Sequence, residues 1–210
     1  GAVDEVLPGG IDHRALRRVE PEDEEAAARH GIQIVRRISG GGAMFIEPEG
    51  AITWSIYAPQ LMAEGMTFAE SYRFFDAWVV DALRGLGIDA MYAPLNDITS
   101  AAGKIGGAAQ ARRGGAVLHH TTMAYEMNVP LMLDVLRIGK EKLSDKGVSS
   151  ADKRVAPLRQ QTELPRSAII DHMVGSFASR FGLQESQLAE EELIEAERRA
   201  DEHERDRREP

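Results

Sequence analysis

The chain contains no cysteine. That absence excludes disulfides, thiolate metal sites and any covalent mechanism that passes through a thioester on the protein. No stretch approaches the ~20 consecutive apolar residues of a membrane-spanning helix. The opening residues GAVDEVLPGG lack the basic-then-apolar order of a secretory signal, so a cytoplasmic location is expected. There is no basic excess either: the formal net charge is -9, which argues against general nucleic-acid binding, because displacing counterions needs a cationic face. What remains is a 210-residue chain, 43% hydrophobic and 28% charged, long enough for one domain with a buried core, with or without an appendage.

Local patterns organise the chain. EPEDEEAAARH (20–30) reads as a short helix with acids in its first turn and Gly31 at its end. IQIVRRI (32–38), AMFIE (43–47) and AITWSIY (51–57) read as strands, the last two joined by a Pro-Glu-Gly turn. Thr67 and Glu70 form a capping box for a helix over 67–87, whose Phe68, Tyr72, Phe75, Val79, Ala82, Leu83 and Leu86 recur at helical spacing as a core face. IDAMYA (88–93) reads as a short strand. KIGGAAQAR (104–112) and AVLHHTTMAYE (116–126) form a hairpin around Gly114 and Gly115. Helices are expected from Pro130 and over 164–182, and a solvated, charged helix over the Glu- and Arg-rich tail from Glu185. Strands and helices interleave without regular βαβ alternation, so the expected class is α+β, a mixed or antiparallel sheet flanked by helices.

Three stretches could carry chemistry. RRISGGGAM (36–44) places three glycines in succession, and a backbone without Cβ atoms can bring its N–H groups against a phosphate or carboxylate. The alternative is a glycine-rich bulge. A phosphate-binding P-loop is excluded because GxxxxGK[ST] is absent. In GKIGGAAQARR (103–113), a lysine lies among small residues; strict alternation puts Gly106 and Ala108 on the face of Lys104, leaving room for a ligand against its ammonium. The alternative is a charge guarding an edge strand. In HHTT (119–122), His119 and His120 point to opposite faces, so one looks inward; the spacing does not favour a shared metal.

Taken together and in order, RRISGGGAMF, LNDI, GKIGGAAQARRGGAVLHHTTM and KLSDKGVSSADKRVAPL resemble the motifs of the lipoate–protein ligase A family, over residues from about Arg36 to Leu158. The resemblance implies a fold like that of class II aminoacyl-tRNA synthetases and biotin–lipoate ligases. It also implies an enzyme that activates lipoate with ATP and Mg2+ to lipoyl-AMP, then passes the lipoyl group to a lysine. The implied acceptors are the lipoyl domain of the E2 subunit of a 2-oxoacid dehydrogenase, or the glycine-cleavage H protein. Carried onto this chain, Lys104 is the implied catalytic residue, an electrostatic anchor. Arg37, Ser39, Gly40, Gly41, Gly42, Ala43, Gly106, Ala108, His120 and Thr122 are the implied substrate-binding residues, with Met44, Asn96 and Asp97 on the nucleotide side.

The departures from the family pattern are Ile46 and Glu47 where His-Asp is usual, Ala51 after Gly50, Thr121 for the glycine of HHGT, and Pro157 for an asparagine. Residues 1–184 are expected to form the catalytic domain, its amino-terminal part short or incomplete, and 185–210 a charged tail. No accessory C-terminal domain is expected within the chain, which implies either a separate accessory protein or the use of preformed lipoyl-AMP. Octanoyltransferases of similar fold need a cysteine, and the GRGRxxxxW-like loop of biotin ligases is absent. A non-catalytic module that binds a cofactor or a lipoyl domain is the alternative from another class.

Overall fold

The computed structural model describes residues 21–35, 37–40, 43–136 and 155–206. The expected residues Gly41 and Gly42, and most of the segment KLSDKGVSSADKRVAPL, lie outside the described residues. The chain divides into two compact units, residues 1–176 and 177–210.

In the first unit, α1 (Pro21–Arg29) precedes β1 (Ala51–Pro59), a single 3-10 turn and α2 (Phe68–Gly85). Four strands follow: β2 (Met91–Ala93), β3 (Asp97–Ser100), β4 (Gly103–Arg113) and β5 (Ala116–Ala124). After them come α3 (Val129–Val135) and α4 (Arg166–Phe181), which crosses into the second unit. The strands form one sheet in the order β1-β5-β4-β3-β2, every neighbouring pair antiparallel. This is the α+β class read from the sequence. A parallel bridge joins Lys104 to Val155.

Local chemistry accounts for these elements. Thr67 and Glu70 close the capping box reciprocally: Glu70 N donates to Thr67 Oγ1 at 3.3 Å, and Thr67 N donates to Glu70 Oε2 at 2.8 Å. The apolar stripe of α2 buries Tyr72, Phe75, Val79, Ala82 and Leu83. Gly114 and Gly115 have φ of 60° and 78°, the left-handed pair that a two-residue type I′ turn demands, so β4 and β5 pair in close register. No helix among the described residues is long and apolar enough to cross a membrane.

Two expected strands do not form among the described residues. Residues 32–35, 37–38 and 43–47 belong to no ladder, although the turn at 48–50 is present. The cause is local. Both Arg37 Nε and Nη2 donate to the carbonyl of Gly40, at 3.3 and 3.0 Å, and the Ser39 hydroxyl bonds His120, so the segment bends instead of extending. Val35, Ile38, Met44 and Ile46 are left exposed.

In the second unit, α5 (Glu190–Asp206) is the solvated helix expected of the tail. Glu195 accepts from Arg198 and Arg199 at 2.7 Å each, and these bonds pull its pKa down to about 2.

Beneath α2 lies a polar network that sequence periodicity did not reveal. Asp76 and His119 are fully buried; His119 Nε2 donates to Asp76 Oδ1 at 2.9 Å, and Thr121 Oγ1 donates to the same oxygen at 3.0 Å. Gln110 Nε2 lies 3.0 Å from His119 Nδ1, and its carbonyl oxygen accepts from Ser71 at 3.1 Å. Phe75 stacks on the imidazole.

Gly106 packs against β5 where a Cβ would fall 2.7 Å from Thr122 O and 2.9 Å from Met123 Cγ. The Gly106→Ala substitution meets backbone that cannot yield, so it should lower unfolding free energy by about 1–3 kcal/mol. Chemical denaturation of the two proteins measures this, and equal midpoints would contradict the packing.

Candidate active site

The β4–β5 pair has two faces. Register places Ala108 opposite Thr121 and Gln110 opposite His119, the face bonded to α2. Pleating therefore sends Gly107, Ala109, His120 and Thr122 to the other face. The tandem histidines divide as their alternation requires: His119 belongs to the buried network, whereas His120 is half-buried on the open face.

Lys104 also serves the open face, by a route that simple alternation misses. The β3–β4 ladder slips between Ile98 and Thr99: Asp97 pairs with Gly107 and Ile98 with Gly106, but Thr99 pairs with Lys104. Ile105 is thus an extra residue, a bulge that changes the phase of the strand. As a result the Lys104 ammonium lies over Gly107, 3.1 Å from where a Cβ would stand, and not beside Gly106 and Ala108. Those two small residues serve the packing of β4 against β5 and α2, a correction to the face expected from strict alternation.

The ammonium is 2.7 Å from Asp97 Oδ1, with side-chain exposures of 45% and 32%. Asn96 holds the neighbouring backbone: its Nδ2 donates to Ala108 O at 2.6 Å, and Ala108 N donates to Asn96 O at 2.9 Å. Among the described residues no group of three His, Asp or Glu side chains could hold a metal ion.

The bent segment meets the same open face. Ser39, itself buried, lies 2.5 Å from His120 Nε2 through its hydroxyl. Gly40 follows directly, tied to the Arg37 guanidinium. Ala43 and Met44 are exposed. Ser39, flanked by Arg37 and Gly40 and bonded to His120, therefore lies on the same side of the sheet as Thr122 and the Lys104 ammonium, while Gly106 and Ala108 belong to the other.

The departures from the family pattern have structural consequences. The Thr121 hydroxyl enters the buried network, a bond no glycine could make. Glu47 Oε2 accepts from Asn128 N at 2.8 Å, where the chain enters α3. Gly50 has the Glu126 carbonyl 2.7 Å from the place of a Cβ. Sequence reasoning missed Asp76, Gln110 and Gly107. A lone aspartate inside the apolar stripe of α2 and a glutamine among strand alanines were the available signals for the first two.

Burial lowers the pKa of His120, and the charge of Arg37 and then His119 push the same way. A histidine depressed in the folded state takes a proton more readily when unfolded, so the chain should lose stability as pH falls through the ordinary histidine value of about 6.5. Above that pH the imidazole is neutral in both states and contributes nothing. In the His120→Gln variant, the drop in melting temperature between about pH 7.5 and pH 5.5 should be smaller than in the parent; an identical drop would assign the loss to other groups.

Residues 12–178 match the family described as the lipoyl protein ligase A/B catalytic domain. Lipoate-protein ligase LplJ of Bacillus subtilis is 29% identical over 79% of this chain and 50% of its own length. Among solved structures, a bi-partite lipoate protein ligase from Thermoplasma acidophilum, studied with its E2 lipoyl domain, superposes with a TM-score of 0.77 at 28% identity, covering 88% of this chain and 73% of that one. A lipoate-protein ligase A bound with ATP gives a TM-score of 0.72 at 25% identity, over 85% and 71% of the two chains. The chain spans about half the length of curated relatives such as the Bacillus ligase. With the match running through the sheet, α2 and the lysine strand, the chain belongs to the lipoyl protein ligase A/B catalytic-domain family.

Proposed function

We propose that this chain is a lipoate–protein ligase: it activates lipoate with ATP to lipoyl-AMP and transfers the lipoyl group to a lysine of a lipoyl carrier domain. The observation that carries this reading is that the Lys104 ammonium, over Gly107, and the Ser39–Gly40 segment, bonded to His120, lie on the same sheet face. An acyl-adenylate is a mixed anhydride whose oxygens gain negative charge as an amine attacks. A fixed ammonium and unencumbered backbone amides stabilise that charge without a nucleophile on the protein. A chain without cysteine has no thiol route to the same product.

In the transfer step the acceptor ε-amine forms the amide C–N bond, the bond from the acyl carbon to AMP breaks, and the attacking nitrogen gives up a proton. Arg37, Ser39, Gly40, Gly41, Gly42, Ala43, His120 and Thr122 line the acyl and adenylate path in this reading, with Met44, Asn96 and Asp97 toward the nucleotide. Magnesium would enter with the phosphates of ATP. The described residues offer no cluster of three ligands for it. The Thermoplasma neighbour, studied with its E2 lipoyl domain, supports a lipoyl domain as the acceptor; the glycine-cleavage H protein is the other acceptor of the same chemistry. A net charge of -9 leaves recognition of the acceptor to local complementarity.

A second reading, transfer from preformed lipoyl-AMP alone, is favoured by the bi-partite nature of that neighbour. Incubation with a lipoyl domain, lipoate, ATP and magnesium, read by intact mass, separates the two. A lipoyl mass gain supports the ligase, and a gain only with synthetic lipoyl-AMP supports the transferase. No gain under either condition, with or without an accessory protein, defeats both. The Lys104→Ala variant should transfer roughly 10²–10³-fold more slowly from lipoyl-AMP.

A further inference from the structure

We propose that Asp97 and Gly107 form a seat for the Lys104 side chain, in which Asp97 is a positioning residue and Gly107 supplies clearance. The inference rests on the acyl-transfer reading of the site. A lysine side chain carries about 2 kcal/mol of rotamer entropy, and a charge that must stabilise a transition state works best when it is already in place. Here the side chain is held at both ends. At its root, Lys104 pairs with Thr99 on one side and bridges Val155 on the other, and its carbonyl accepts from Ala156 N at 2.8 Å. At its tip, Nζ meets Asp97 Oδ1 at 2.7 Å.

Gly107 completes the seat. A Cβ there would stand 3.1 Å from Lys104 Nζ, 3.3 Å from Lys104 Cε and 3.4 Å from Asp97 Oδ1, touching both partners at once. The backbone at 107 is not left-handed, so conformation does not call for glycine, and a strand interior disfavours it. Space for the ammonium is a reason the geometry supplies.

Fold stability does not explain the pair. With 45% and 32% of the two side chains exposed, such an ion pair contributes about 0–1 kcal/mol. Its consequence is geometric. An ammonium has three donors, so one can stay on Asp97 while the others face the oxygens of the acyl-adenylate. Asp97 thereby orients the lysine without touching the reacting atoms.

The test uses the full chain, synthetic lipoyl-AMP and a lipoyl domain in single-turnover transfer. Asp97→Asn and Gly107→Ala should each slow transfer roughly ten- to hundredfold, the cost of misplacing a catalytic group by a fraction of an ångström to an ångström. The acceptor KM and the melting temperature should stay close to the parent values, because the added methyl meets only a flexible side-chain end. In a Lys104→Ala background, Asp97→Asn should have no further effect. Parent-like transfer by Asp97→Asn, or an equal slowing in the Lys104→Ala background, would overturn the seat.

A second readout is independent of turnover. Brief acetylation with an N-hydroxysuccinimide ester, followed by peptide mass spectrometry, should label Lys104 several-fold faster in both variants than in the parent. If the parent transfers nothing, with or without an accessory protein, the acyl-transfer reading fails; if labelling of Lys104 is the same in all three proteins, the seat fails, whatever the activity.

Discussion

A single extra residue in β4 governs the site. Because Ile105 is inserted into the ladder with β3, the phase of the strand changes between Lys104 and Gly107, and the lysine reaches the open face together with His120 and Thr122. Without that bulge, strict alternation would set Lys104 in phase with Gly106, Ala108 and Gln110, on the side packed against α2. A charged amine there would be enclosed by the buried network or forced out at the sheet edge, and either result would part it from the glycine segment. The cost of the bulge is local, a disrupted ladder at Ile98–Thr99; Asn96 limits it by clamping Ala108 with both its side chain and its carbonyl.

The two faces of the β4–β5 pair divide polarity in opposite ways. On the α2 side, Asp76, His119, Thr121, Gln110 and Ser71 bond to one another away from water, which meets the rule that buried polar groups must be paired. Within this network Asp76 Oδ2 is an exception, a buried oxygen with no hydrogen-bond partner among the described residues. On the open side His120, Thr122, Lys104 and Asp97 are partly exposed beside Gly107 and Ala109, and Ser39 is buried. Two adjacent histidines of identical chemistry thus have unrelated surroundings, and only His120 has both a solvent path and a link to the glycine segment through Ser39.

Membership of the ligase family and the absence of cysteine constrain the chemistry together. A family whose members handle activated acyl groups needs some means of stabilising the charge of acyl transfer; a thiol nucleophile is one, and a preorganised cation with backbone donors is another. The sequence has no cysteine for the first, and in the proposed reading Lys104 and the glycine segment supply the second. The bend at 37–40 takes the place of a strand: Arg37 bonds the Gly40 carbonyl, the Ser39 hydroxyl bonds His120 of β5, and Val35, Ile38, Met44 and Ile46 are exposed.

Much of this was legible in the amino-acid order. The capping box at Thr67, the helical stripe to Leu83, the Gly114–Gly115 hairpin and the grouping of RRISGGGAM, LNDI, GKIGGAA and HHTT all follow from residues adjacent in sequence, because caps, turns and amphipathic faces are set by local sterics and spacing. What the tertiary structure alone decided is phase and partnership. Whether IQIVRRI becomes a strand depends on a ladder partner distant in sequence; which histidine is buried depends on where α2 lands; and which small residue faces Lys104 depends on a bulge imposed by β3. None of these is encoded in local spacing, since a period-2 pattern is unchanged on either side of an inserted residue until a neighbouring strand fixes which side counts.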